Sequence, residues 1–314
     1  MLKENKREEI TKNIEKREAL VEQVADGIWR IGVELPQNPL RELNSYLIKG
    51  KENERDLLID TGFRREECRE ALFAGLRALG SSPDQLDILL THLHSDHTGL
   101  AREAAGADSR IYISGIDLAI LKDGFTPERP LRLAAQFCAG GFPEDEMKKT
   151  QALNPAVRYK LDQVDDRFVP IEAGWKYTVG DYTLEMISVP GHTPGSVLFI
   201  DHTHKVIFTG DAIGSGQMVL LQLAPVISLQ EYKKNLERLY ERLEDMDDYV
   251  LLGGHMEQEG GYPFGTPYNP SPYNPLGREV VKDMMELCDI FGSDKVKKEE
   301  LPPDRMCEEP SFLG

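Results

Sequence analysis

Thr91-His92-Leu93-His94-Ser95-Asp96-His97 sets three histidines and a carboxylate within six residues. The whole chain holds only seven histidines, so this is a concentration and not background. Imidazole and carboxylate together are the ligand set of borderline-hard divalent metals such as zinc, manganese and ferrous iron. His92 and His94 are two apart, and in an extended or tightly turning loop they can point to the same side. Asp96 and His97 are adjacent, so they face different ways and can address two different ions. The spacing suits a two-metal site. A structural zinc site would normally use cysteines or four fixed ligands with no open position.

Further ligands must come from elsewhere. Val189-Pro190-Gly191-His192-Thr193-Pro194-Gly195 puts a histidine in a Gly/Pro turn at a strand end. Phe208-Thr209-Gly210-Asp211 ends an apolar run with a carboxylate beside glycine, and Leu251-Leu252-Gly253-Gly254-His255 repeats the device. In each, a rigid strand carries the ligand and glycine lets backbone approach closely. A histidine-rich surface loop would explain one His-x-His, but not several strand-end motifs of this kind. The two remaining histidines, His202 and His204, lie between two apolar runs and read as a solvated hairpin turn.

The elements that must position these residues alternate in type. The charged stretch 3–24 reads as an exposed helix. Strands are expected at Gly27–Val33, Ser45–Lys49 and Leu57–Ile59, the last closing with Asp60-Thr61-Gly62, then a helix at Arg64–Leu79 stopped by Gly80. Leu86–Leu90 reads as the buried strand that delivers the histidine cluster, with a short helix at Ala101–Ala105 and a strand at Arg110–Ile113 behind it. Residues 115–165 look like a helical insertion, with Ile116–Leu121, Leu131–Cys138 and Glu144–Ala152 separated by Gly and Pro breaks. Strands return at Trp175–Val179, Tyr182–Val189, Ser196–Asp201 and Val206–Thr209, followed by a helix at Leu229–Leu243 and a short strand at Val250–Leu252. A Tyr/Pro/Gly-rich loop, Gly261–Gly277, a helix near Arg278–Ile290 and a polar tail complete the chain. The β-rich and helical stretches occur twice, which suggests two packed sheets with helices outside. The domain reading is a charged N-terminal helix over 1–24, a main domain over 25–256 with an insertion at about 115–165, and a C-terminal loop, helix and tail over 257–314.

A chain of 314 residues can bury a substantial core, and no apolar run reaches the roughly 18–20 residues of a membrane span. With 37 Lys and Arg against 54 Asp and Glu, the net charge of −17 repels nucleic acid and anionic membrane, so neither is an expected partner. Cys68, Cys138, Cys288 and Cys307 are far apart and fit reduced thiols in a cytoplasmic protein. The N-terminus shows no apolar signal core, so secretion is not expected.

His92-x-His94-x-Asp96-His97, followed by Gly191-His192, Thr209-Gly210-Asp211 and Gly254-His255, resembles the metallo-β-lactamase superfamily, and Asp60-Thr61-Gly62 matches its early strand-end Asp. The resemblance covers about residues 25–256. It implies an α+β fold: a four-layer αβ/βα sandwich of two mixed β-sheets flanked by helices, with the metals at one edge. It implies that His92, His94 and His192 bind one metal and that Asp96, His97 and His255 bind a second. Asp211 would bridge both, and Asp60 would hold a ligand from outside by a hydrogen bond. The implied cofactors are two divalent ions, zinc first, with manganese or iron as alternatives. Asp211 stands where many true β-lactamases carry Cys or Ser, which argues against antibiotic hydrolysis. His94 replaces the glutamate of the diiron flavoproteins. Ala212-Ile213-Gly214-Ser215-Gly216-Gln217 lacks the Gly-Cys-Gly-Arg-like segment typical of glyoxalase II and the persulfide dioxygenases, and Gly214 stands where the quorum-quenching lactonases carry tyrosine.

The expected activity is hydrolysis of an ester, thioester, lactone or phosphodiester of a small molecule by a metal-bridged hydroxide, with Asp96 assisting proton transfer. A mononuclear iron oxidoreductase of the persulfide dioxygenase type and a metal-binding protein without turnover are the alternatives. The insertion at 115–165 is expected to form part of a cap, with Gly261–Gly277 as a second wall offering Tyr262, Phe264, Tyr268 and Tyr273 to substrate. A homodimer is compatible with all of this, and the sequence leaves the oligomeric state open.

Overall fold

The computed structural model describes residues 20–36, 38, 40–124, 158–214, 229–255 and 278–291. Two sheets are formed. The larger has seven strands in chain order: β1 (Val21–Ala25), β2 (Ile28–Glu34), β3 (Glu42–Ile48), β4 (Asp56–Ile59), β5 (Leu86–Leu89), β6 (Ile111–Ser114) and β7 (Phe168–Ile171). Its pairings are antiparallel from β1 to β4 and parallel from β4 to β7. The smaller has five strands in the order β12-β11-β10-β9-β8: β8 (Lys176–Val179), β9 (Tyr182–Ser188), β10 (Val197–Asp201), β11 (Val206–Gly210) and β12 (Val250–Gly253). Only its β11–β12 pair is parallel. Both sheets are therefore mixed, as expected.

The period-2 alternation of β-strands sorts side chains into three apolar layers. On β10, Val197 and Phe199 face the core between the sheets, where they join Ile59, Leu89, Leu184 and Phe208. Leu198 and Ile200 point the other way, toward α5 (Leu229–Arg242) and α6 (Glu279–Phe291). On the far face of the larger sheet, Leu47, Leu58 and Ile88 pack with Leu72 and Leu76 of α1 (Glu66–Ala78). The result is the four-layer αβ/βα sandwich.

Two expectations need correction. Residues 20–24 are not helical: Val21–Ala25 is an edge strand paired with β2, and residues 3–19 of the expected N-terminal helix lie outside the described residues. Strand β7 falls where no element was expected; its Pro170 lacks the N–H a ladder needs and is tolerated because β7 is the edge. The helix expected in the C-terminal segment, α6, packs on the main domain. Val280, Val281, Met284 and Cys288 are buried with Leu236, Leu239 and Leu243 of α5 in one cluster.

The expected short helix behind the histidine cluster is α3 (Ala101–Ala104), and of the expected insertion Gly115–Gly124 is a helix, α4, directly after β6. Leu131–Cys138 and Glu144–Ala152 lie outside the described residues. The described return leg is fastened to the main fold: Tyr159 O accepts Arg64 N at 2.8 Å, and Arg102 pairs with Asp162 and Asp165. Among the described residues no helix is long and apolar enough to cross a membrane. Cys68 and Cys288 are free and buried; Cys138 and Cys307 lie outside the described residues.

Candidate metal centre

Every cluster residue sits at or just beyond a strand end on one edge of the sandwich. Asp60 follows β4, the histidine run follows β5, His192 lies in the β9–β10 connection, and Asp211 and His255 follow β11 and β12. The two sheets are tied together there: Val197 N donates to Thr91 O at 3.1 Å, and Asn44 N to Gly254 O at 2.7 Å. Ser95–Thr98 forms one helical turn, α2, whose first carbonyl acceptor is His94 O, taking Thr98 N at 2.9 Å.

Adjacent Asp96 and His97, expected to be able to address two different ions, share one neighbour, and His97 also groups with His92 and Asp211 without Asp96. On this turn both converge on His255, whose Nε2 is 3.4 Å from Asp96 Oδ2 and 3.3 Å from His97 Nε2. Successive helical residues differ by about 100° in direction, and side chains of unequal length close the remaining gap.

Three groups result, each with its candidate ligand atoms within 4.8 Å of one another: the trio His92, His94 and His192, the trio Asp96, His97 and His255, and His92, His97 and Asp211, which links the two trios. Asp211 lies between them. Its Oδ2 is 3.4 Å from His192 Nε2, 3.3 Å from His255 Nε2 and 4.0 Å from His92 Nε2, and its Oδ1 is 3.4 Å from His97 Nε2. Two ligands on a tetrahedral ion, each bonded at about 2.0–2.1 Å, sit about 3.3–3.4 Å apart. Several of these separations match that value. Gly254 makes the approach feasible, since a Cβ there would lie 2.5 Å from Asp211 Oδ1.

Hydrogen bonds on the outer ring nitrogens orient three of the imidazoles. His97 Nδ1 donates to Asp60 Oδ2 at 2.8 Å, and His255 Nδ1 donates to Glu42 O at 2.9 Å. Thr91 Oγ1 donates to Asp60 Oδ2 at 2.8 Å, so its lone pairs are left to face His92 Nδ1 at 3.1 Å. In each case Nε2 is turned inward. His92 Nε2 is buried and has no hydrogen-bond partner among the described residues. With Nδ1 donating to Thr91, His92 Nε2 is a buried lone pair with no donor to accept from, which suits a cation, so the residues fit a divalent metal.

The charges without metal are polarised. Burial, reinforced by neighbouring histidines, holds His92 well below the usual range and His94 at about 3, and burial lowers His192. Burial also opposes a charge on His97 and His255, but the carboxylates of Asp211, Asp96 and, for His97, Asp60 outweigh it. His97 is held well above its ordinary value, and His255 is raised to about 9. Burial would raise Asp96 and Asp211, yet His97 and His255 keep both carboxylates below the ordinary range. The side chains of Asp96, at 11% exposure, and of Asp211 and His192, each at 12%, keep a small part of the centre in contact with solvent.

His202 and His204 stay apart from this group: His202 Nδ1 meets the Tyr249 hydroxyl, and His204 Nδ1 meets Asp201 in the β10–β11 turn. Tyr262, Phe264, Tyr268 and Tyr273, expected to wall a pocket, lie outside the described residues. One buried acidic residue of the site was not anticipated. Asp117 of α4 accepts hydrogen bonds from Leu93 N, Thr193 Oγ1 and Gly195 N; burial raises it to about 6 against the pull of those donors. Its only sequence signal is a carboxylate among the apolar residues of Gly115–Leu121.

A family model described as the metallo-beta-lactamase superfamily matches residues 39–255. The chain is 27% identical over 230 residues to the acyl-coenzyme A thioesterase MBLAC2 of Gallus gallus, covering 69% of this chain and 73% of that protein. It is 27% identical over 173 residues to the hydroxyacylglutathione hydrolase GloC of Haemophilus influenzae, covering 54% and 67%. Among solved structures, the metallo-beta-lactamase family protein TTHA1429 of Thermus thermophilus superposes with a TM-score of 0.65 at 23% identity, covering 85% of this chain and 81% of that one. That likeness carries the fold.

Proposed function

The chain belongs to the metallo-β-lactamase superfamily, and from that premise we propose that it is a metal-dependent thioester hydrolase acting on a small acyl-thiol substrate. The observation that carries the reading is the position of Asp211, within 4.0 Å of ligand nitrogens from both trios. That arrangement suits two ions sharing one carboxylate. His92, His94 and His192 would hold the first, Asp96, His97 and His255 the second, with zinc as the first candidate and manganese or iron as alternatives. Bound divalent ions supply a Lewis acid for a carbonyl oxygen and water acidified to a pKa of about 7. The choice of thioester among the expected bonds is supported by the two relatives, whose names describe cleavage of an acyl group from a thiol carrier.

The protein's own part is orientation and charge. Asp60, Thr91 and the Glu42 carbonyl hold three imidazoles with Nε2 inward, so ligation needs no tautomer change. Asp96 is ionised at neutral pH and can accept a proton at Oδ2 but has none to give. The carboxylates of Asp96 and Asp211, both held below the ordinary range, favour cations before any substrate arrives.

Elemental analysis of protein purified without added metal, with a panel of acyl-coenzyme A, acyl-glutathione, lactone and phosphodiester substrates, tests the proposal. Two divalent ions per chain and release of free thiol are expected. One iron with oxygen consumption would replace this reading with an oxidoreductase of the persulfide dioxygenase type. Two ions with no turnover on any bond would leave a metal-binding protein.

A further inference from the structure

We infer that Asp117 is the positioning residue that sets the geometry of the first histidine trio, by clamping together the two loops that carry it. The inference rests on the metal reading of His92, His94 and His192. Asp117 lies in the first turn of α4 and has no exposed surface. Its Oδ2 accepts Leu93 N at 2.9 Å and Thr193 Oγ1 at 2.8 Å, and its Oδ1 accepts Gly195 N at 2.8 Å. Leu93 is the residue between His92 and His94, and Thr193 immediately follows His192. One carboxylate thus grips both halves of the trio, which come from opposite sheets.

The grip is selective. Asp60 touches His97 itself, whereas Asp117 touches only the backbone and a hydroxyl beside the ligands, so it acts by placing chain segments. The contact also excludes other residues at its far end. A Cβ at Gly195 would lie 2.5 Å from Asp117 Oδ1 and 2.5 Å from Ser114 Oγ, so only glycine lets the amide come this close. Between the two gripped loops, His94 Nδ1 and His192 Nε2 face each other at 2.9 Å. Small changes in loop separation therefore act directly on the ligand spacing. All three partners of Asp117 are donors, which an ionised carboxylate satisfies and an amide cannot, because its NH2 would face a donor.

The test uses the full chain, stripped of metal and titrated with zinc against a chromophoric chelator, and with cobalt(II) followed by its visible absorption. A His255→Ala background confines the reading to the first trio. Asp117→Asn is expected to weaken zinc binding there by about 10–100-fold and to alter the cobalt spectrum. Asp56→Asn is the control: Asp56 is a buried carboxylate serving Lys49, Gly50 N and Ser81. It should leave both readouts unchanged whatever it does to the melting temperature. Unchanged affinity and spectrum in Asp117→Asn would overturn the inference. If Asp117→Asn does not fold, Thr193→Val removes one of the three bonds and should give a smaller loss of affinity with the same spectral change; no change there also overturns it. If the unmutated chain binds no divalent ion, the metal reading fails, and that result is distinct from a failure of Asp117 alone.

Discussion

Asp60 Oδ2 lies 2.8 Å from His97 Nδ1, and Asp60 Oδ1 takes Thr91 N at 2.9 Å. Asp60 thus joins the end of β4 to the end of β5 and presents His97 with Nε2 inward. It does so at φ 59°, in the left-handed region that aspartate tolerates better than most residues. Asp60→Ala leaves a buried amide and an imidazole N–H without acceptors, at a cost of about 1–3 kcal/mol for each unsatisfied group. The expected outcome is a lower melting temperature together with a loss of about 10–100-fold in metal affinity. A variant that melts lower but retains full metal after dialysis would reduce Asp60 to a turn residue.

Asp211→Ala removes the only described carboxylate near both trios. Metal content should fall well below that of the unmutated chain and thioester hydrolysis should be lost. An Asp211→Ala protein that keeps two ions and full activity would sink the shared-carboxylate reading. Substitution of His202, which lies in a turn against Tyr249, should change neither quantity.

The strand-end ligands were legible because each is local: an apolar run, a glycine, then a ligand, with burial of the run enough to announce the strand. Their sorting into trios came from the family resemblance and not from spacing, because it depends on α2, where one helical turn brings Asp96 and His97 to the same partner. Asp117 was illegible for a related reason. Its three partners lie 24, 76 and 78 residues away, and no spacing rule connects them. In the fold, β1 was hidden by the charged run that precedes it, and β7 by its proline. β10 and β11 were readable as short continuous apolar runs, because both of their faces are buried.

The C-terminal helix is a load on the core and not an appendage. Met284 of α6 is 3% exposed and packs in the same cluster as Leu236 and Leu239 of α5. Met284→Ala should therefore destabilise the fold by about 2–5 kcal/mol, the range for a large-to-small change in a packed interior. Urea denaturation checks this. A loss below about 0.5 kcal/mol, the range of an ordinary surface substitution, would show that α6 adds little to the stability of the core.

The two trios should load with different proton stoichiometries. His92, His94 and His192 are lowered in the metal-free protein, so they are neutral at pH 7 and can take an ion without releasing protons. His97 is held well above its ordinary value and His255 at about 9, so both carry a proton at pH 7 that a metal must displace. Calorimetry in buffers of differing ionisation enthalpy should show one ion binding with little proton release and another releasing about two protons. Affinity for the second should rise as pH increases from 7 toward 9, while the first stays nearly flat. The same shifts bear on stability without metal. A histidine raised on folding contributes stability that is complete below its unfolded pKa of about 6.5. That contribution is lost as pH rises through the folded value, about 9 for His255. Histidines lowered on folding act in the opposite direction and withdraw stability as pH falls below about 6.5. From these five groups the metal-free protein should melt highest near pH 6–7, and loading with divalent metal should flatten the alkaline side of the profile. Equal proton release for both ions would show that the carboxylates around Asp211 do not divide the site in this way.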